Sequence, residues 1–126
     1  METPPLKPLY WIGSAKADLR SFLKAVTTVI GAALHEAQLG GKHDDAKPLK
    51  GFGGASVLEI LDDYGGDTYR AVYTVRFGGA VYVLHAFQKK SKRGIATSQR
   101  DVELIKSRLA AARRLHDQLF PNREKA

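Results

Sequence analysis

The chain has 126 residues, a net charge of +7 and no cysteine, which excludes disulfides and thiolate metal sites. Its length fits one domain that buries most of its apolar surface; no apolar run approaches the ~20 residues that span a bilayer, and the first residues lack the apolar stretch of a secretory leader, so a soluble cytoplasmic protein is expected. The charge is uneven, with eleven Lys/Arg against four Asp/Glu from Gln88 to Ala126 and five against six over residues 42–87; a basic C-terminal third suits a nucleic acid or an acidic partner, and equally suits plain solubility.

Residues 1–8 hold three prolines and read as a flexible tail, 9–120 as the domain, and 121–126 as a second tail. Leu9–Ile12 is a short apolar run suited to a strand. Ser14 reads as an N-cap with Asp18 in the first turn. Leu19, Phe22, Val26, Ile30, Ala33, Leu34 and Ala37 then recur at helical spacing. Gly31 weakens the middle, so this region is one imperfect helix or a helix pair. Residues 40–54, GGKHDDAKPLKGFGG, read as a flexible glycine-rich connection. The phosphate-loop order Gly-x-x-x-x-Gly-Lys-Ser/Thr is absent, although Lys47 and Lys50 remain within reach of a bound polyanion.

Val57–Leu61 reads as a strand with Leu58 and Ile60 towards the core and Glu59 on the other side. Thr68–Phe77 alternates clearly. Tyr69, Ala71, Tyr73, Val75 and Phe77 share one face, and Thr68, Arg70, Val72, Thr74 and Arg76 share the other. Ala80–Phe87 is apolar on both faces, as in a central strand. Gly78-Gly79 between them fits a two-residue hairpin turn. Thr97 or Ser98 caps a last helix with the stripe Val102, Ile105, Leu109, Ala112, Leu115 and Leu119. The order strand, helix or helix pair, three antiparallel strands, helix predicts an α+β fold.

Arg70 sits mid-strand on the polar face, where a forked, permanently charged group suits gripping a phosphate or stabilising transition-state charge. The same position suits a cross-strand ion pair with Glu59. Lys89, Lys90, Lys92 and Arg93 leave the end of the central strand together, as a solvated charge run or as a phosphate-binding edge beside Arg70 and Arg76. The four histidines are His35, His43, His85 and His116; no two stand four apart and HExxH is absent, so no metal site is expected. His85 falls in the row of Val81, Val83 and Phe87 and reads as a core histidine, whereas loop residue His43 can titrate near neutral pH. No serine elbow or cysteine nucleophile supports acyl transfer, and the aromatics are not spaced as an RNA-stacking platform.

The run TYRAVYTVRFGGAVYVLHAFQKKSKRG…TSQRDVELIKSRL resembles the phage-derived, HigB-like branch of the RelE/ParE superfamily, toxins of type II toxin–antitoxin pairs. LYWIGSAKADLRSF and KPLKGFGGASVLEI agree with it, and the resemblance covers about residues 9–112. It implies a RelE-like fold with a small curved antiparallel sheet, an N-terminal helix or helix pair and a C-terminal helix. It also implies a metal-independent, cofactor-free endoribonuclease that cleaves mRNA on the ribosome. Its partners would be that mRNA, a helix-turn-helix antitoxin, and operator DNA only through the antitoxin, with no role for a membrane. Arg70 matches the sheet arginine that contacts the scissile phosphate, and Lys90, with Lys89 beside it, matches the basic position after the last strand. Lys47, Lys50, Arg76, Lys92 and Arg93 are the expected RNA-binding cations. The chain departs from RelE-type enzymes in carrying Glu59, Asp62 and Asp63 where they carry lysines, and Ile95-Ala96-Thr97 where they carry a tyrosine. The general base is therefore not carried over, and Glu59 and His43 are its candidates. The alternatives are a ParE-like inhibitor of DNA gyrase and a non-toxic basic nucleic-acid-binding protein.

Overall fold

A computed structural model describes residues 5–89 and 97–121 of the chain. Its frame is one sheet of β1 (Leu9–Trp11), β2 (Ala46–Pro48), β3 (Val57–Tyr64), β4 (Asp67–Thr74) and β5 (Val81–Lys89), in the order β1-β5-β4-β3-β2. Helices α1 (Ala15–Arg20) and α2 (Lys24–Gln38) pack on one face, and α3 (Gln99–Leu119) packs on the other. The α+β class is as expected. The sheet is mixed, because β1 runs parallel to β5 while the other neighbours are antiparallel.

The helical region is a pair, and the break falls at Ser21–Leu23 rather than at Gly31. Ser21 turns its hydroxyl back onto the Asp18 carbonyl (2.6 Å), competing with the backbone for that acceptor. Leu23 is extended (φ −57°, ψ 147°) and restarts the chain as α2. Gly31 lies on the exposed side of α2 with open space around it, so it costs only helix propensity. Val26, Ile30, Ala33, Leu34 and Ala37 are all buried, as their spacing predicts.

The two-residue hairpin turn expected at Gly78-Gly79 lies at another glycine pair. The tight hairpin joins β3 to β4 through Gly65 (φ 64°) and Gly66 (φ 89°), a pair of positive φ values that glycine adopts without strain. Between β4 and β5, only Gly79 has positive φ (86°), and the connection is longer than two residues. There the Thr74 hydroxyl accepts the Arg76 amide (3.1 Å), ending β4 early, and Phe77 crosses to the α3 side. The connection over residues 40–54 is not structureless either. Ala46 is buried, and Ala46–Pro48 form the edge strand β2, with Lys47 opposite Glu59.

The α3 side is sealed by Ile105 and Ala112 against Val57, Val72, Tyr82 and Leu84; fully burying one such isoleucine contributes ~1.5–3 kcal/mol. His116 is also in this core, 2% exposed. Its Nδ1 meets the Tyr82 hydroxyl at 2.7 Å, the pairing a buried polar group needs.

One irregularity decides which side chains reach the far end of the α3 face. Val72 pairs with His85 but Tyr73 pairs with Val83, so Leu84 is the extra residue of a β-bulge. Its carbonyl is met by Arg108 Nη1 of α3 (3.0 Å). The bulge shifts the alternation by one. Val81 and Val83 face α1 and α2, whereas His85 and Phe87 face α3. The expected row Val81–Val83–His85–Phe87 is therefore split.

Candidate active site

The site is built on three neighbouring strands. Register places Glu59 opposite Val72, and Val72 opposite His85; one step along, Leu61, Arg70 and Phe87 are aligned; one step further come Asp63, Thr68 and Lys89. Paired residues share a face, so Glu59, Arg70, His85 and Lys89 look to one side. That side is covered by the start of α3. Ser98 is its N-cap, accepting the Asp101 amide on its hydroxyl (3.1 Å), an arrangement that satisfies an orphan helix donor. Thr97, the other capping candidate, turns inward instead.

Two polar groups result. In the first, Arg70 Nη1 donates to Glu59 Oε2 (3.4 Å) and to Thr97 Oγ1 (3.2 Å), and the Thr97 hydroxyl donates to Glu59 Oε2 (3.4 Å). Arg70 is 3% exposed. The open polar face expected for it is closed, because α3 and its cap lie over it. Burial raises the Glu59 pKa, and the Arg70 charge with the Thr97 and Arg70 hydrogen bonds offsets only part of that rise. The cross-strand ion pair that alternation allows is thus present, in a place where it excludes most solvent.

The second group centres on Asp101. Its Oδ1 lies 2.9 Å from His85 Nε2, and its Oδ2 accepts from the Ser98 hydroxyl (2.7 Å) and faces Lys89 Nζ (3.4 Å). Burial works to raise the Asp101 pKa, but the His85 and Ser98 hydrogen bonds and the His85 and Lys89 charges together outweigh it. The carboxyl is held below its ordinary value. His85 stacks on Phe87 (4.5 Å between centroids, 20° between planes), and Lys89 lies 5.9 Å over the same ring.

The expected site residues are distributed unevenly. Glu59, Arg70 and Lys89 share one face, with Lys47 across from Glu59 on the edge strand. Lys50 is exposed in the following turn. Arg76 lies elsewhere, its guanidinium tying the loop before β3 through Ser56 Oγ (3.0 Å) and the Phe52 carbonyl (2.9 Å). His43 accepts the Asp45 amide (3.1 Å) in the turn that opens β2. Lys90, Lys92 and Arg93 lie outside the described residues. Sequence reasoning missed Asp101, Thr97 and the placement of His85. The spacing Ser98-x-x-Asp101, a capping signature, was the available signal for Asp101. Among the described residues no cluster of His, Asp and Glu is arranged to hold a metal ion, and no helix is long and apolar enough to cross a membrane.

The family described as "Phage derived protein Gp49-like (DUF891)" matches residues 17–110. The chain belongs to the Gp49-like family. The isolated E. coli RelE toxin has a similar structure, with a TM-score of 0.51 and 22% identity over 80% of this chain and 97% of that one. A chain of the toxin–antitoxin complex RelBE2 from Mycobacterium tuberculosis is a looser likeness, with a TM-score of 0.42 and 16% identity over 72% of this chain and 100% of that one. A search of curated proteins gave no match. The phage-derived family and the RelE-like fold bear out the resemblance read from the sequence. In this Gp49-like protein the long α3 closes the face that carries Arg70.

Proposed function

We propose that this Gp49-like protein is a RelE-type toxin that cleaves mRNA on the ribosome and is neutralised by a helix-turn-helix antitoxin, which alone carries the complex to operator DNA. The observation that supports this reading most is the placement of Arg70. A RelE-like fold sets a fixed guanidinium on the sheet, beside Lys89 and under the start of α3. Such a group matches the negative charge that builds on the non-bridging phosphoryl oxygens during transesterification.

In that reaction the RNA 2′-hydroxyl attacks the adjacent phosphorus in line and the bond to the 5′-oxygen breaks. Arg70 stabilises the phosphorane. Lys89 and Lys90 position the phosphate or protonate the leaving oxygen. Lys47, Lys50, Lys92 and Arg93 follow the RNA backbone, and Arg76 adds charge at a distance. Phosphate oxygens can take over from Glu59 and Thr97 the donors that Arg70 now gives them, so entry of RNA exchanges one set of polar partners for another. The ribosome orients the substrate, which lowers what the protein itself must supply.

A second reading, gyrase inhibition, is favoured by one observation: the Arg70 guanidinium is engaged by Glu59 and Thr97 in a nearly closed site. Purified protein added to ribosomes programmed with a defined mRNA decides between them. Cuts in the A-site codon are expected. No cuts, with inhibited supercoiling by gyrase in a parallel assay, would replace the nuclease reading; no effect in either assay would leave the non-toxic binding reading.

A further inference from the structure

The cleavage proposed above needs a proton acceptor, and Glu59 is already engaged on Oε2 by Arg70 and Thr97. Resting on that reading, we infer that His85 is the general base, held in the required tautomer by Asp101.

The bulge at Leu84 decides where His85 points. A regular β5 would send His85 into the apolar layer against α1 and α2. The extra residue sends it to the Arg70 face, and bulges beside active sites commonly re-aim a side chain in this way. There the ring is 7% exposed, stacked on Phe87 and joined through Nε2 to Asp101 Oδ1 at 2.9 Å. An ionised carboxylate only accepts hydrogen bonds, so Nε2 carries the hydrogen, and in the neutral form of the ring Nδ1 is the nitrogen that presents a bare lone pair. Nδ1 is buried and has no hydrogen-bond partner among the described residues. Buried polar atoms are nearly always paired, and a nitrogen kept open beside a carboxylate-fixed ring has the form of a base awaiting its proton donor. His85 is a diagonal neighbour of Arg70, on the order of 7–8 Å away on such a sheet, a separation that a phosphate and its ribose can bridge.

The 2′-hydroxyl proton passes to Nδ1 as the oxygen forms its bond to phosphorus. The bond from phosphorus to the 5′-oxygen breaks, and that oxygen takes a proton from the Lys89 ammonium. The products are a 2′,3′-cyclic phosphate and a 5′-hydroxyl. The charged groups that face His85 are Asp101 from α3, Lys89 from β5, Arg70 from β4 and Glu59 from β3.

His85→Gln separates this role from a structural one. A glutamine amide can still donate to Asp101 where Nε2 does, but it offers no basic nitrogen at Nδ1. Single-turnover cleavage of ribosome-bound mRNA is measured across pH for wild type, His85→Gln and Glu59→Gln, with thermal melts of each. His85→Gln should melt near wild type, lose ~10²–10⁴-fold in rate, the usual scale for a general base, and lose the rise of rate with pH. Glu59→Gln should slow the reaction and keep that rise. Nitrogen-15 NMR of the wild-type ring should report hydrogen on Nε2 and none on Nδ1. A wild type that cuts while His85→Gln cuts as fast, a rise lost in Glu59→Gln instead, or an Nδ1–H tautomer overturns the assignment. A wild type that makes no cut overturns the nuclease reading and this assignment with it.

Discussion

Replacing Arg70 by methionine keeps much of the side-chain volume and removes its charge, which isolates the ion pair from packing. The two side chains are 4% and 13% exposed and 3.4 Å apart, so solvent does little to screen them. Removing one partner of a buried pair costs about 3–5 kcal/mol, because the other charge is left uncompensated, whereas replacing both by apolar residues is often neutral or stabilising by about 1–4 kcal/mol. Arg70→Met should therefore lower the unfolding free energy at pH 7 by about 3–5 kcal/mol, and Arg70→Met/Glu59→Leu should recover most of it. The pH dependence has a definite sign. Burial already raises the Glu59 pKa above 4.5, and loss of the Arg70 charge, which lowers it, raises it further. A carboxyl whose folded pKa is raised favours the folded state fully below its unfolded value and loses that contribution as pH rises through the folded value. The deficit of Arg70→Met should shrink as pH falls towards about 4. Urea denaturation at several pH values, with unchanged m, measures this. A deficit below about 1 kcal/mol at pH 7, the scale of an exposed pair, or one that does not change with pH, would refute the buried-pair argument.

Asp101 behaves in the opposite sense. Its folded pKa is held below 3.8, so its contribution is full above that value and is lost as pH falls through the folded value; Asp101→Asn should flatten the acid limb of stability and loosen the α3 cap, as read from acid denaturation curves. Tyr82→Phe leaves His116 Nδ1 without its 2.7 Å partner in the core and should cost about 1–3 kcal/mol; a cost within error of zero in urea titrations would show that water replaces the hydroxyl. Replacing Lys89, Lys90, Lys92 and Arg93 together by alanine should make ribosome affinity less steep in salt, since each lost phosphate contact removes counterion release. An unchanged slope in sedimentation assays would place the RNA surface elsewhere.

The parts legible in the sequence were those governed by a single period. The α2 stripe, the alternation of β4 and the capped start of α3 follow from side-chain spacing, and the Arg70–Glu59 pairing follows from alternation on adjacent strands. The parts that stayed hidden depend on local exceptions to those periods. Gly65-Gly66 and Gly78-Gly79 look alike as letters, and only the strand register shows which pair forms the tight turn. The Leu84 bulge cannot be read from a strand that is apolar on both faces, and it is what sends His85 to the polar side. Arg70 reads as exposed because alternation gives a face but not what covers it. Here the cover is the start of α3 and the residue before its cap: Thr97 meets Arg70 and Asp101 meets His85, and their helix-cap signature gave no hint of the strands they would meet.

The most direct test of the central claim is the mapping of cellular mRNA 5′ ends after brief expression of the protein without an antitoxin, beside an Arg70→Met control. New 5′-hydroxyl ends inside translated reading frames are expected within minutes of induction, with growth arrest, and neither is expected in the control at matched protein levels. Unchanged mRNA ends at confirmed wild-type expression, or the same ends from Arg70→Met, would contradict it.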